Sequence, residues 1–204
     1  FNLYIFTSIF KLNILVCTSL DLNTPCAALN RINSLNNALN SHGIKIYTCG
    51  SNGIKRKHYL LKGNNVFFSK PYRFIFLPKA FQYNLNAALF YKSHLEEIIN
   101  ILNIEGIIIY SMFSTMIEPI CSLCRKKDIF VVNDGGEKYS ITPLNILNGV
   151  NYMQYRAIFY SFKKLDGMMV CSPRWKIFAE SIKKPYLFFP SFLPQVGSGK
   201  NIIL

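Results

Sequence analysis

Asp134 and Glu137 lie either side of Gly135-Gly136, directly after the apolar run Ile129 to Asn133. The two glycines permit a tight backbone there. Carboxylates placed beyond the end of a strand can accept a proton from a reacting hydroxyl or hold sugar hydroxyls by hydrogen bonds. The same residues also read as a loop aspartate and a helix-start glutamate, and both readings stand at this point. A second candidate is NILVCTSLDLNTPCAALNRI, residues 13–32. It opens as a buried strand and closes as an amphipathic helix, with a loop between them. Thr24 is expected to cap that helix, with Pro25 at its first position. The free amides and the positive end of the helix dipole then form an anion site.

Other side chains join these two. Ala27, with Cys26 and Ala28, is small enough to let a ligand or a facing domain come close. Arg31 either pairs with a phosphate or lies on a solvated helix face. Ser111 and Ser114 follow another apolar run and either cap the next helix or touch ligand. The sequence has no G-x-G-x-x-G and no Walker motif, so a dinucleotide or P-loop site is not supported. Cys121-Ser-Leu-Cys124 has redox or zinc spacing, but it lies in a helical apolar pattern and lacks a second pair, so core packing is expected. The six cysteines are scattered through apolar runs, as in reduced, buried thiols. Neither a metal site nor a cofactor is expected.

The elements that position these residues alternate. Apolar runs at 12–17, 44–48, 73–77, 106–110, 129–133, 167–171 and 186–189 read as strands, several of them apolar on consecutive residues, as strands covered on both faces are. Helical spacing joins Ala28, Ile32, Leu35 and Leu39, with His42-Gly43 as the stop. Further helices are expected at 81–102, from Thr115 with a Thr115-x-x-Glu118 capping box, at 152–164 and at 173–182. This alternation predicts an α/β fold with a doubly wound, mostly parallel, Rossmann-like sheet. Residues 51–72 are basic and interleaved with aromatics but have no period, so they read as a loop or as a surface for phosphates or anionic lipid.

The chain has 204 residues, 23 of them Lys or Arg against 10 Asp or Glu, for a net charge of +13. Such a charge suits a polyanionic partner, although abundant Lys, Asn and Ile also fit an AT-rich coding bias. The basic residues are spread along the chain and no nucleic-acid motif appears, so nucleic acid is not an expected partner. No run reaches the roughly 18 apolar residues of a membrane span.

Residues 13–50, NILVCTSLDLNTPCAALNRINSLNNALNSHGIKIYTCG, resemble the opening strand, loop, helix and strand of GT-B glycosyltransferases, above all the large retaining family 4. Arg31 and the Gly43 to Tyr47 segment match that layout. IIIYSMFSTMIEPICSLCRKKDIFVVNDGGEKYS resembles the family's midsection, with Asp134, Glu137 and Tyr139 in its D-x-x-E-aromatic places. LDGMMVCSPRWKIF resembles the later D-G-x-x-x-x-S element through Asp166, Gly167 and Ser172, and YLFFPSFLP resembles the Pro-rich exit. Two departures stand out. Thr-Pro-Cys replaces the usual glycines of the first loop, and Tyr110-Ser111 replaces the strand-end histidine of many retaining members.

The resemblance implies an amino-terminal, acceptor-side GT-B domain over residues 12–195. It implies a linker and the first strand of a further domain over 196–204, where the chain reads VGSGKNIIL. It also implies transfer of a sugar from a nucleotide-sugar, held mainly by that further domain, to a glycan or lipid-linked acceptor in cell-surface polysaccharide synthesis. The expected location is the cytoplasm, with peripheral attachment at the inner face of the membrane as an option. The competing expectation is a non-enzymatic, basic Rossmann-like module on an anionic membrane surface or nucleic acid.

Overall fold

Apolar strands at the centre of one sheet hold the structure together: β1 (Asn13–Asp21), β5 (Gly106–Tyr110) and β6 (Phe130–Asp134). The structure, a computed structural model, describes residues 12–52, 59–68, 79–111, 113–134 and 149–188. Around the centre lie β2 (Lys45–Ser51), β3 (Leu60–Lys62), β4 (Asn65–Phe68), β7 (Gly167–Val170) and β8 (Tyr186–Phe188). The eight strands run in the order β3-β4-β2-β1-β5-β6-β7-β8, parallel throughout except for the β3–β4 pair.

Helices cover both faces, as a doubly wound sheet requires. Ile14 and Val16 pack with Ile32 and Leu35 of α1 (Ala27–Ser41) on one face. Leu15 and Cys17 point the other way, into a larger core. That core includes α2 (Lys79–Leu102), α3 (Ser114–Lys126) and α5 (Pro173–Ser181). The connection from β6 to β7 ends in α4 (Gly149–Arg156), a π-helical turn (Ala157–Ser161) and a short 3-10 turn (Phe162–Lys164). Trp175 is fully buried against Phe162 and Phe178. His42 caps the end of α1, and Gly43 follows at φ 78°.

Several expectations need correction. β1 continues to Asp21, past its apolar run. Its register against β2 slips between Cys17 and Asp21, where four steps on β1 face two on β2. The buried Tyr91 hydroxyl fills that irregularity. It accepts from the Thr18 N–H at 3.0 Å and lies 2.9 and 2.8 Å from the Thr18 and Cys49 carbonyls. Segment 51–72 is not all loop. β3 and β4 form a hairpin there, with Gly63 at φ 59° in its turn, where the favoured two-residue turns need a positive φ. Strands of three and four residues are too short to show a period. α3 starts at Ser114 and has no capping box, since Glu118 bonds Arg156 and Ser161 instead. The expected strand at 73–77 and the linker at 196–204 lie outside the described residues.

Candidate functional site

The sheet order contains one switch point. From β1 the chain passes through α1 to β2 on one side, and α2 later returns it to β5 on the other, across the opposite face. Loops leaving β1 and β5 therefore diverge, and open sheets bind ligands in the crevice this creates. Both β1 and β6 run parallel to β5, so residues 22–26, Ser111 and Asp134 lie on one carboxyl rim.

The first loop is folded back over β2. Asp21 Oδ1 accepts from the Asn23 N–H, the Leu22 N–H donates to the Ser51 carbonyl, and Leu22 packs where a Cβ on Gly50 would sit. This turn shifts the start of the helix. Thr24 does not cap α1; its N–H donates to the Asp21 carbonyl. Cys26 is the cap, in extended conformation, with Sγ accepting from the Leu29 N–H at 3.4 Å. Thr24, Cys26 and Ala27 are exposed at this end of α1. A hydroxyl is a stronger acceptor than a thiol, so Cys26→Ser is expected to raise stability by roughly 0.3–1 kcal/mol. Thermal melts of the two proteins check this, and a lower melting point for the serine variant would contradict the capping role.

Arg31 lies on the second turn of α1 and reaches over β5 to Asp134. Nε sits 3.2 and 3.0 Å from the two carboxylate oxygens, and Nη2 is 2.7 Å from Oδ1. The two side chains are 8% and 0% exposed, so neither the solvated helix face nor a free phosphate partner describes Arg31 in this state. Burial pushes the Asp134 carboxyl above its ordinary range, and the guanidinium pulls against that rise. Tyr110 stands at the end of β5 beside this pair. Burial and then the Asp134 charge push its hydroxyl up to about 12. The tyrosine is therefore a neutral hydrogen-bonding group at physiological pH, in the place the resemblance gives to a histidine.

Asn133 was not legible as a site residue. Its side chain, fully buried at the end of β6, donates to the Ile109 and Ser111 carbonyls at 2.9 and 2.8 Å. This ties the exit of β5 to β6. Ser111 Oγ accepts from the Phe113 N–H, so it shapes the turn into α3 rather than capping the helix with its side chain. Ser114 is the first helical residue, buried against Met153 of α4. The structure thus brings Arg31, Tyr110, Asn133, Asp134 and Ser111 together. Thr24 and Ala27 occupy the open side of the same rim. Glu137 lies outside the described residues, as does Tyr139.

The opposite rim holds a cavity of about 280 Å³, lined by Cys121, Cys124, Arg125, Asp128, Lys164 and Asp166. It sits at the amino ends of β6 and β7, where Asp166 accepts from the Val131 N–H at 2.7 Å. Both thiols are buried, and burial pushes each up to about 12, which suits packing and not a reactive dithiol. Among the described residues, no three His, Cys, Asp or Glu side chains cluster as a metal site would require.

Comparison with solved structures follows this geometry. Sucrose-phosphate synthase from Thermosynechococcus elongatus superposes with a TM-score of 0.60 at 9% identity, over 89% of this chain. The chain spans about half of that enzyme, 48% of its length. A shorter form of the same enzyme superposes with a TM-score of 0.53 at 8% identity, over 86% of this chain and 84% of its own. The chain therefore has the fold of a Rossmann-like half of the GT-B arrangement. The sequence matches no protein-family profile and no curated protein. No helix of the described residues is long and apolar enough to cross a membrane.

Proposed function

We propose that this chain is the acceptor-side, amino-terminal half of a glycosyltransferase. It contributes one wall of the cleft in which a sugar passes from a nucleotide-sugar to a glycan or lipid-linked acceptor in cell-surface polysaccharide synthesis, on the cytoplasmic side of the membrane. The observation that carries this reading is the single rim shared by the exits of β1, β5 and β6, at the sheet's one switch point. Thr24 and Ala27 would meet the substrate at the start of α1, where the helix dipole favours the diphosphate. Ser111 and Ser114 would shape the neighbouring wall.

Asp134 and Glu137 divide the work expected of two carboxylates. A carboxylate held on both oxygens by Arg31 and closed to solvent cannot accept a proton until that pair opens. Asp134 therefore acts through Arg31, as the residue that positions the first turns of α1 on the rim. Glu137 is left as the carboxylate for the acceptor hydroxyl. Assays of the intact gene product with a panel of nucleotide-sugars and lipid-linked oligosaccharides test the reading. Transfer is expected, with Glu137→Gln lowering kcat about 100-fold or more. Absence of transfer with every pair would favour the basic binding module.

A further inference from the structure

We propose that the outer face of α1 is an exosite for an uncharged, hydroxyl-rich glycan chain that leads away from the carboxyl rim. The proposal deepens the transferase reading and rests on it only for the glycan's role as acceptor. One side of α1 buries Ile32 and Leu35 against β1. Between Ala27 and Ser41, every exposed position is asparagine or serine: Asn30, Asn33, Ser34, Asn37 and Asn40. Spacings of three and four residues stack these side chains along one helix face. From Asn30 to Asn40 the face runs about 15 Å, long enough for a short oligosaccharide and too long for a single sugar. Its amino end meets the exposed Thr24 and Ala27, so it continues the candidate site at the rim.

The outer face of a helix is ordinarily charged, and the other long helices follow that rule. Lys92, Glu96 and Glu97 are exposed on α2, Arg125 and Lys126 on α3, and Arg174, Lys176 and Glu180 on α5. α1 exposes no charge. Its one charged residue, Arg31, turns inward to Asp134, with a side chain 8% exposed. Asparagine is also among the poorer helix formers, because its side chain competes for backbone groups. The exposed asparagines therefore weaken α1 and add no packing. A coding bias that enriches Asn also enriches Lys, and 23 Lys or Arg are spread along the chain. None of them reaches this face. Neither helix stability nor composition accounts for it, and a ligand does.

The chemistry of the face selects that ligand. Each asparagine offers a carbonyl acceptor and two N–H donors, and a serine hydroxyl both donates and accepts. The side-chain amides of Asn30, Asn33, Asn37 and Asn40 bond no other described residue. Asn36, off the face, is instead engaged with Thr48 at 2.8 Å. Nucleic acid and anionic bilayers require cations, and a protein partner requires apolar or aromatic anchors. The face has neither. A neutral glycan presents hydroxyls that donate and accept, with no charge to desolvate. Single bonds of this kind are weak in water, so affinity comes from several of them along one chain.

The test is titration of the isotope-labelled full chain with maltohexaose, chitohexaose and mannohexaose, with the matching disaccharides, and with an oligogalacturonate as acidic control. At least one neutral hexasaccharide should shift amides from Asn30 to Asn40, binding about tenfold or more tighter than its disaccharide. The acidic control should leave the face unmoved. Asn33→Ala, Asn37→Ala and Asn40→Ala together should weaken the binding about tenfold or more. Alanine is the better helix former, so this variant should melt no lower than the parent. In transfer assays it should raise KM for long acceptors and leave kcat and short acceptors unchanged. Hexasaccharide binding on α1 by a protein that transfers no sugar would sink the transferase reading and leave the exosite standing. Three outcomes overturn the proposal. One is that no neutral hexasaccharide shifts the face. Another is binding that ignores chain length or survives in the triple variant. The third is a concentration-dependent dimer that the triple variant abolishes, with no sugar bound, which would make a second copy the occupant.

Discussion

Arg31→Met is expected to lower stability by about 3–5 kcal/mol, because it strands a buried charge. Asp134 has no exposed side-chain surface, and Arg31 holds both of its oxygens. Methionine fills most of the arginine's volume but compensates none of the carboxylate's charge. The pH dependence follows from the same geometry. Burial already lifts the Asp134 carboxyl above its ordinary value of 3.8, and without Arg31 nothing pulls it back. A folded-state pKa above the unfolded one means that the folded protein binds more protons, so stability falls as pH rises through the folded value. The deficit of the variant should therefore be greatest at neutral pH and shrink as pH falls toward the ordinary carboxylate range. A second variant separates charge from packing. Arg31→Met combined with Asp134→Leu should recover most of the loss, since a well-packed apolar pair often equals a buried ion pair. Urea melts between acid and neutral pH measure both effects. A deficit independent of pH would show that Asp134 finds another partner in the variant and titrates as it does in the unfolded chain.

Tyr91→Phe should cost roughly 2–4 kcal/mol, which is large for the loss of one oxygen. Each buried polar group left without a partner costs about 1–3 kcal/mol, and this hydroxyl serves a donor and two carbonyls where β1 and β2 separate. The ring itself stays packed against Phe68 and Phe90, so the hydrophobic loss is small. The effect should also be local. Hydrogen exchange at Thr18 and in the loop that follows should accelerate far more than exchange in β5 or β6. Uniform acceleration over the sheet would show instead that the hydroxyl supports the global core.

The central strands were readable because their cause is local. GIIIY and FVVND are short apolar runs bounded by turn residues, and burial on both faces needs no alternation. The last four residues of β1 were not readable, since polar Thr18 enters the strand only because Tyr91, over 70 residues away, completes its pairing, and Asp21 rejoins β2 opposite Ser51 after a register slip. The capping errors share one physical origin. Thr24 and Thr115 carry the right side chains. Tertiary contacts of the loop at Asp21 and of Glu118 with Arg156 move each helix start elsewhere. Arg31 and Asp134 were both singled out, but for different tasks. Their meeting across β5 depends on the strand order, and a single sequence does not display strand order. Of the site residues the sequence named, Thr24, Ala27, Arg31, Ser111 and Asp134 therefore lie at one rim, whereas the pairing of Arg31 with Asp134 came only with the fold.

The central claim is that ligands meet this chain at the carboxyl rim and not at the cavity on the far side. Amide chemical shifts of the isotope-labelled chain, followed during titration with glycan acceptors and nucleotide-sugars, test it most directly. The account predicts saturable shifts at Thr24, Ala27, Ser111, Phe113 and Ser114, with Arg125, Asp128 and Asp166 unmoved. Shifts confined to Arg125, Asp128 and Asp166 would contradict it.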